Sequence, residues 1–169
     1  MKFDAQLDVA SGNWYGEYAE FLRLRFAVPS IHLMTFPAAC PESVKGDVAS
    51  ASKVMFAVPS AAANRLRTAI ETLLTEQGVA QVGLKGKPLS THARIELLRA
   101  SSPDAAVALE AVKWIGNSGS HDSEATIDDF MNGADLLSHA LRLLYDTRTK
   151  ELDALAERIN RNKGLRPKP

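Results

Sequence analysis

The segment Ile127–Tyr145 restricts the fold more than any other part of the chain. Ile127, Phe130, Met131, Ala134, Leu137, Leu141 and Leu144 recur at helical spacing along one side, and Leu136, Ala140 and Leu143 make a second apolar side. A surface helix carries one such stripe. A helix with two must be covered twice, by other helices of its own chain or by a second subunit. The polar stripe that remains, Asn132, Asp135, His139, Arg142 and Asp146, is narrow and reads as an exposed face, with an interface stripe as the alternative. A chain built round this segment is all-α.

The flanking sequence agrees. Val44, Val48, Ala51, Val54 and Met55 predict a helix over 42–57. Pro59 to Gln77 predicts a second, with Ala62, Leu66, Ala69, Ile70, Leu73 and Leu74 as its core stripe, Pro at its start and Gly78 past its end. Ser90 caps a short third helix carrying Ile95, Leu97 and Leu98. Ser102-Pro103-Asp104 opens a fourth that runs to about Ile115 and buries Ala105, Ala108, Leu109 and Val112. Thr126, with Asp128 and Asp129 in the first turn, opens the long fifth. A last helix over about Lys150 to Asn160 carries Leu152, Leu155, Ala156 and Ile159, and a basic, Gly- and Pro-containing tail follows.

Residues 1 to 40 break the pattern, being richer in aromatics, Gly and Pro. They read as an extended arm packed on the helical body, too short to bury a core of its own. Phe21 to Phe26 alternates in part like a half-buried strand, and Ile31 to Met34, between Pro29 and Pro37, reads as a second short extended segment. The organisation expected is therefore an arm over 1–40, a helical domain over 41–146, and a C-terminal helix and basic tail over 147–169.

Charge and cysteine usage exclude several classes. Lys+Arg and Asp+Glu both number 20, so no net field favours a polyanion or a membrane surface. Cys40 is alone, which excludes an internal disulfide, and the four histidines have no zinc-ligand spacing; no metal and no cofactor are expected. The start lacks an apolar leader core, and nowhere do about 18 uncharged apolar residues run together. The expectation is a cytoplasmic protein without a membrane partner. Gly83-Leu84-Lys85-Gly86-Lys87 lacks the spacing of a phosphate loop.

Candidate chemistry concentrates in Lys113-Trp114-Ile115-Gly116-Asn117-Ser118-Gly119-Ser120-His121-Asp122, read as a helix end plus loop between two helices. His121 offers an imidazole that titrates near neutrality, Asn117 an amide and Lys113 a point charge; these three are the candidates for catalysis. Asn64, Arg67 and Glu71 form a polar stripe on the second helix, with Arg67 and Glu71 an i,i+4 pair, and join Asp122 as candidates for binding. A plainer reading stands beside this one. Gly116 and Gly119 would permit positive φ at a helix end, Asn117 would bond the last carbonyls, His121 and Asp122 would fasten the turn, and the Asn64 stripe would be a solvated face. His32 and His92 read as ordinary side chains without a partner.

Taken together, Pro41-Glu42-Ser43-Val44, the run Ser60 to Leu74 with its Ala-Ala-Asn-Arg-x-Arg core, Ala93 to Leu98, and Gly116-Asn117-Ser118-Gly119-Ser120-His121 before a final long helix resemble the domain of unknown function 4145 family over about residues 41–146. That family looks like a branch of the HEPN superfamily of helical domains found in prokaryotic defence, toxin–antitoxin and restriction systems. The resemblance implies an up-and-down helical bundle, often dimeric, with the motif at or near the subunit interface. Catalytic HEPN members are metal-independent ribonucleases whose motif is an Arg, a polar residue and a following His. Asn117 and His121 match the last two, but Gly116 stands where the Arg is expected, so Lys113 or Arg67 would have to supply the positive charge. The paired N-terminal cysteines of many relatives are missing. The leading expectation is a dimeric cytoplasmic binding or scaffold module of a defence or restriction system, recognising a nucleotide, RNA or a protein. The alternatives are a metal-independent endoribonuclease using His121, and a structural oligomer formed through the fifth helix.

Overall fold

The computed structural model describes residues 2–8, 13–19, 24–84, 86–118 and 125–164. Among them the chain forms two strands, β1 (Lys2–Asp8) and β2 (Asn13–Ala19), and six helices: α1 (Glu42–Val54), α2 (Pro59–Glu76), α3 (Thr91–Arg99), α4 (Pro103–Ser118), α5 (Ile127–Tyr145) and α6 (Arg148–Asn162). The fold is an all-α bundle with an extended arm.

The arm's strands do not fall where the alternation near Phe21 suggested. β1 and β2 pair antiparallel with Ala5 opposite Gly16 and Leu7 opposite Trp14. Phe3, Ala5 and Leu7 alternate with Lys2, Asp4, Gln6 and Asp8, a strand period that extends through all of β1. Leu24–Phe26 and Ile31–Met34 lie in irregular chain, where Pro29 and Pro37 remove ladder donors; residues 21–23 lie outside the described residues. The second half of the arm is laid on the bundle as expected. Leu33, Met34 and Phe36 pack against the core, Cys40 is buried, and the Ser52 hydroxyl donates to the Ile31 carbonyl at 2.6 Å.

α2 is the hub, packing against α1, α3, α4 and α5, while α5 packs against α2 and α4. The core joins Leu66, Ile70, Leu73 and Leu74 of α2 to Val44 and Val48 of α1, Ile95 of α3, Leu109 and Val112 of α4, and Phe130, Leu137 and Leu141 of α5. The second apolar side of α5 is largely covered within the chain: Ala140 is fully buried and Leu136 packs against the core, leaving Leu143 46 % exposed. Its polar stripe from Asn132 to Asp146 is exposed.

α4 runs a turn beyond its expected end near Ile115, so Gly116 and Asn117 are helical, not part of a loop. Gly116 is not among the described positive-φ glycines, which are Gly78, Gly86 and Gly164. Its role is contact. A Cβ there would stand 3.1 Å from the Ala63 carbonyl oxygen and 3.2 Å from Arg67 Cβ, so the missing side chain lets α4 lie against α2. That approach sets the geometry of the cleft beside it.

Candidate ligand-binding cleft

One turn along α2 from Ala63, Arg67 projects across the close α2–α4 crossing. Its Nη1 donates to Asn117 Oδ1 at 3.1 Å, and its Nε lies 3.5 Å from Glu71 Oε1. Glu71 in turn accepts from the buried Thr91 hydroxyl at 2.6 Å. Thr91 starts α3 because Ser90 caps it, accepting a hydrogen bond from the Ala93 amide. The guanidinium is thus held from both sides, by an amide on α4 and a carboxylate anchored to α3.

Lys113, two residues before Ile115 on α4, is only 4 % exposed. Its Nζ lies 3.3 Å from His92 Nδ1, 3.8 Å from Glu110 Oε1 and 3.8 Å from the centroid of the Trp114 ring. An ammonium can only donate, so in its contact with Lys113 the His92 Nδ1 is the acceptor. The cation–π contact adds to the anchorage of the ammonium. Around these groups lies a cavity of about 260 Å³, lined by Arg67, Ser90, Thr91, His92, Lys113, Trp114 and Asn117. Two basic side chains stand in that wall and no carboxylate does; Glu71 and Glu110 pair with Arg67 and Lys113 outside it.

A second network supports the cleft from below. Buried Arg94 of α3 donates to the Glu71 carbonyl at 3.2 Å, the Thr75 hydroxyl at 2.9 Å and the Val79 carbonyl at 3.2 Å, tying α3 to the end of α2. Arg99 bridges Glu96 at 2.9 Å and Glu110 at 2.7 Å. The Arg99 hydrogen bond holds the Glu96 carboxyl below the usual carboxylate range, and Glu96 raises the Arg99 guanidinium in return. His92, Glu96 and Glu110 place one donor atom each within 4.8 Å of one another. Arg99 and Lys113 already neutralise both carboxylates there, so this arrangement is an ion-pair network and a poor seat for a further cation.

The structure brings together Asn117, Lys113 and Arg67, with Glu71 paired to Arg67 outside the cavity wall. The Asn117 amide accepts from Arg67, so it is engaged across the helix crossing. Asn64 is exposed and is not part of the cavity wall. His121 and Asp122 lie outside the described residues. His92 is the main correction: read from sequence as a histidine without a partner, it touches Lys113 and stands 3.5 Å from Glu110. Its signal was the Ser90 cap, which fixes where α3 starts, but no local spacing linked that turn to Lys113. Ser90, Thr91 and Trp114 of the wall were likewise not singled out as site residues.

The family model described as Domain of unknown function (DUF4145) matches residues 49–162. The chain belongs to this family, and the matched span begins within α1 and runs to the end of α6. Comparison with curated proteins and with solved structures finds no match. Among the described residues, no helix is long and apolar enough to cross a membrane.

Proposed function

We propose that the protein is a binding module whose cleft between α2, α3 and α4 takes a phosphate-bearing, base-containing ligand: a nucleotide, or one nucleotide unit of single-stranded RNA. The observation that carries this reading is the composition of the wall, with the Arg67 fork and the Lys113 ammonium converging on a cavity free of carboxylates. A guanidinium held by Asn117 and Glu71 is preorganised for a phosphate oxygen, and little side-chain entropy remains to be lost on binding. Ser90 adds a hydroxyl and His92 an imidazole to the same wall. At about 260 Å³ the cavity accepts a phosphate and part of its sugar; the base would meet Trp114, which is 57 % exposed. The defence or restriction setting is supported by the family resemblance alone.

The ribonuclease reading gains one specific support. His92 brings an imidazole to the same wall as Arg67 and Lys113, a combination of proton carrier and positive charge that RNA cleavage through the 2′-hydroxyl requires.

The test is a titration with adenosine monophosphate and, separately, with a fluorescein-labelled single-stranded oligoribonucleotide, at low salt and in EDTA. Saturable binding weakened about tenfold or more by Arg67→Ala, with the circular-dichroism melt unchanged, supports the cleft. Absence of binding to both probes, or equal binding by the variant, rejects it. Analysing the same RNA on a gel decides catalysis: cleavage lost in His92→Ala or His121→Ala makes the protein an enzyme, and intact RNA leaves it a binder.

A further inference from the structure

Among the described residues, α6 packs against none of the other helices or strands, yet it is clearly amphipathic. Leu152, Leu155 and Ile159 fall at spacings of three and four, the a–d–a pattern of a coiled-coil seam. Leu152 is 47 % exposed, and Leu155 and Ile159 are half-buried without joining the bundle core. An isolated helix of this length is marginal in water, so such a seam needs a cover.

We infer that the cover is α6 of a second copy of this chain, docked antiparallel. Charge selects both the occupant and the direction. The helix as a whole is not split by charge, with Arg148, Lys150, Glu151 and Asp153 in its first half, Glu157, Arg158 and Arg161 in its second and Lys163 as its C-cap; what selects is which charges flank the seam. With Leu152 and Ile159 at a and Leu155 at d, Glu151 and Arg158 occupy g, and Ala156 and Lys163 occupy e. A parallel pair sets g against e and so places Arg158 against Lys163 of the second copy, like against like. An antiparallel pair sets g against g along one edge, which brings Glu151 alongside Arg158 of the second copy twice there, while Leu152 meets Leu155 of that copy. The two-fold symmetry repeats each contact. At a rise of 1.5 Å per residue the helix is roughly 22 Å long, and a seam this short associates reversibly, in a concentration-dependent way. This inference is independent of the cleft, which α6 does not line.

The experiment is light scattering coupled to size exclusion on the full chain, loaded from about 10 µM to about 500 µM, with three variants. The mass of the wild type rises from one chain toward two across that range, and Leu155→Glu stays at one chain with an unchanged thermal melt, because the bundle core does not include that residue. Glu151→Arg and Arg158→Glu each weaken association about threefold to tenfold, and the double reversal restores it. A wild type that stays at one chain throughout overturns the inference, as does a dimer untouched by Leu155→Glu. A double reversal that remains as weak as the single changes overturns the antiparallel pairing.

Discussion

Gly116 of α4 rests against Ala63 of α2, with so little space between the helices that an added Cβ would stand 3.1 Å from the Ala63 carbonyl oxygen. Glycine inside a helix ordinarily costs about 0.5–1 kcal/mol relative to alanine, so Gly116→Ala would be stabilising on propensity alone. Here the obstacle is main-chain oxygen in a packed helix, which cannot rotate aside. Overpacking of this kind costs about 1–3 kcal/mol, and the net expectation is a loss of about 1–2 kcal/mol. Urea unfolding of the variant should show an earlier midpoint; an unchanged or later one would mean that the two helices separate freely.

Gly46 makes the opposite case. It is exposed on α1, and a Cβ added there would meet nothing within 4 Å. Gly46→Ala should therefore raise stability by about 0.5–1 kcal/mol. Measured beside Gly116→Ala in the same urea series, it separates the propensity gain from the steric cost.

Arg94 is buried on α3 and spends its guanidinium on three acceptors at the end of α2, two of them backbone carbonyls. Arg94→Leu fills part of the volume but takes the donor from the Val79 carbonyl and leaves the Glu71 carbonyl with the Thr75 hydroxyl as its remaining side-chain donor. The expected loss is about 2–3 kcal/mol, read as an earlier urea midpoint. Since α3 also brings Ser90, Thr91 and His92 to the cleft, ligand affinity should fall in the same variant at temperatures where it is still folded. Stability within error of the wild type would show that water replaces the guanidinium at little cost.

The helices were legible because their signals are local. The apolar stripes of α2 and α5, the Ser90 cap and the acids after Thr126 all lie within a few residues of the ends they define. The site was legible only in part. Arg67 and Asn117 could be named as polar residues on neighbouring helical patterns, but their hydrogen bond spans 50 positions and depends on the crossing at Gly116. That glycine itself misled, since in sequence a glycine near a helix end looks like a terminator, whereas here it marks a contact between helices. His92 stayed invisible for a similar reason: its partner lies 21 residues away on another helix. The hub role of α2 was hidden because α5 carries more apolar residues, although α2 touches more neighbours.

Thr126 and Asp129 form a reciprocal cap at the start of α5. The Asp129 amide donates to the Thr126 hydroxyl at 3.1 Å, and the Asp129 carboxylate accepts from the Thr126 amide at 2.9 Å and hydroxyl at 2.7 Å. These bonds lower the Asp129 carboxyl below the ordinary aspartate value. A depressed folded-state value contributes stability that is fully present above the unfolded pKa, near ~3.9, and is lost as pH falls through the lower folded value. Acidification below about pH 4 should therefore destabilise the wild type more than Asp129→Asn, and the gap between their midpoints should narrow. Thr126→Ala should cost about 1 kcal/mol at neutral pH. Parallel acid-unfolding curves for wild type and Asp129→Asn would remove the cap from the pH dependence.

Arg67→Lys tests whether the cleft needs a fork or only a charge. Arg67 uses Nη1 for Asn117 and Nε toward Glu71, and these two restraints fix the plane of the guanidinium. A lysine keeps the charge but offers a single tetrahedral ammonium, which cannot meet both partners in that plane and still present donors to a phosphate. If phosphate recognition runs through the fork, Arg67→Lys should weaken binding of the labelled oligoribonucleotide about tenfold, close to the effect of Arg67→Ala. If only positive charge matters, Arg67→Lys should bind like the wild type while Arg67→Ala does not. Asn117→Ala sharpens the comparison, because it leaves the guanidinium in place but frees it on one side. Its expected effect is a smaller loss, about threefold, with the salt dependence of binding unchanged because no charge has been removed. An Asn117→Ala variant with wild-type affinity would show that the amide braces the helix crossing without orienting the arginine for its ligand.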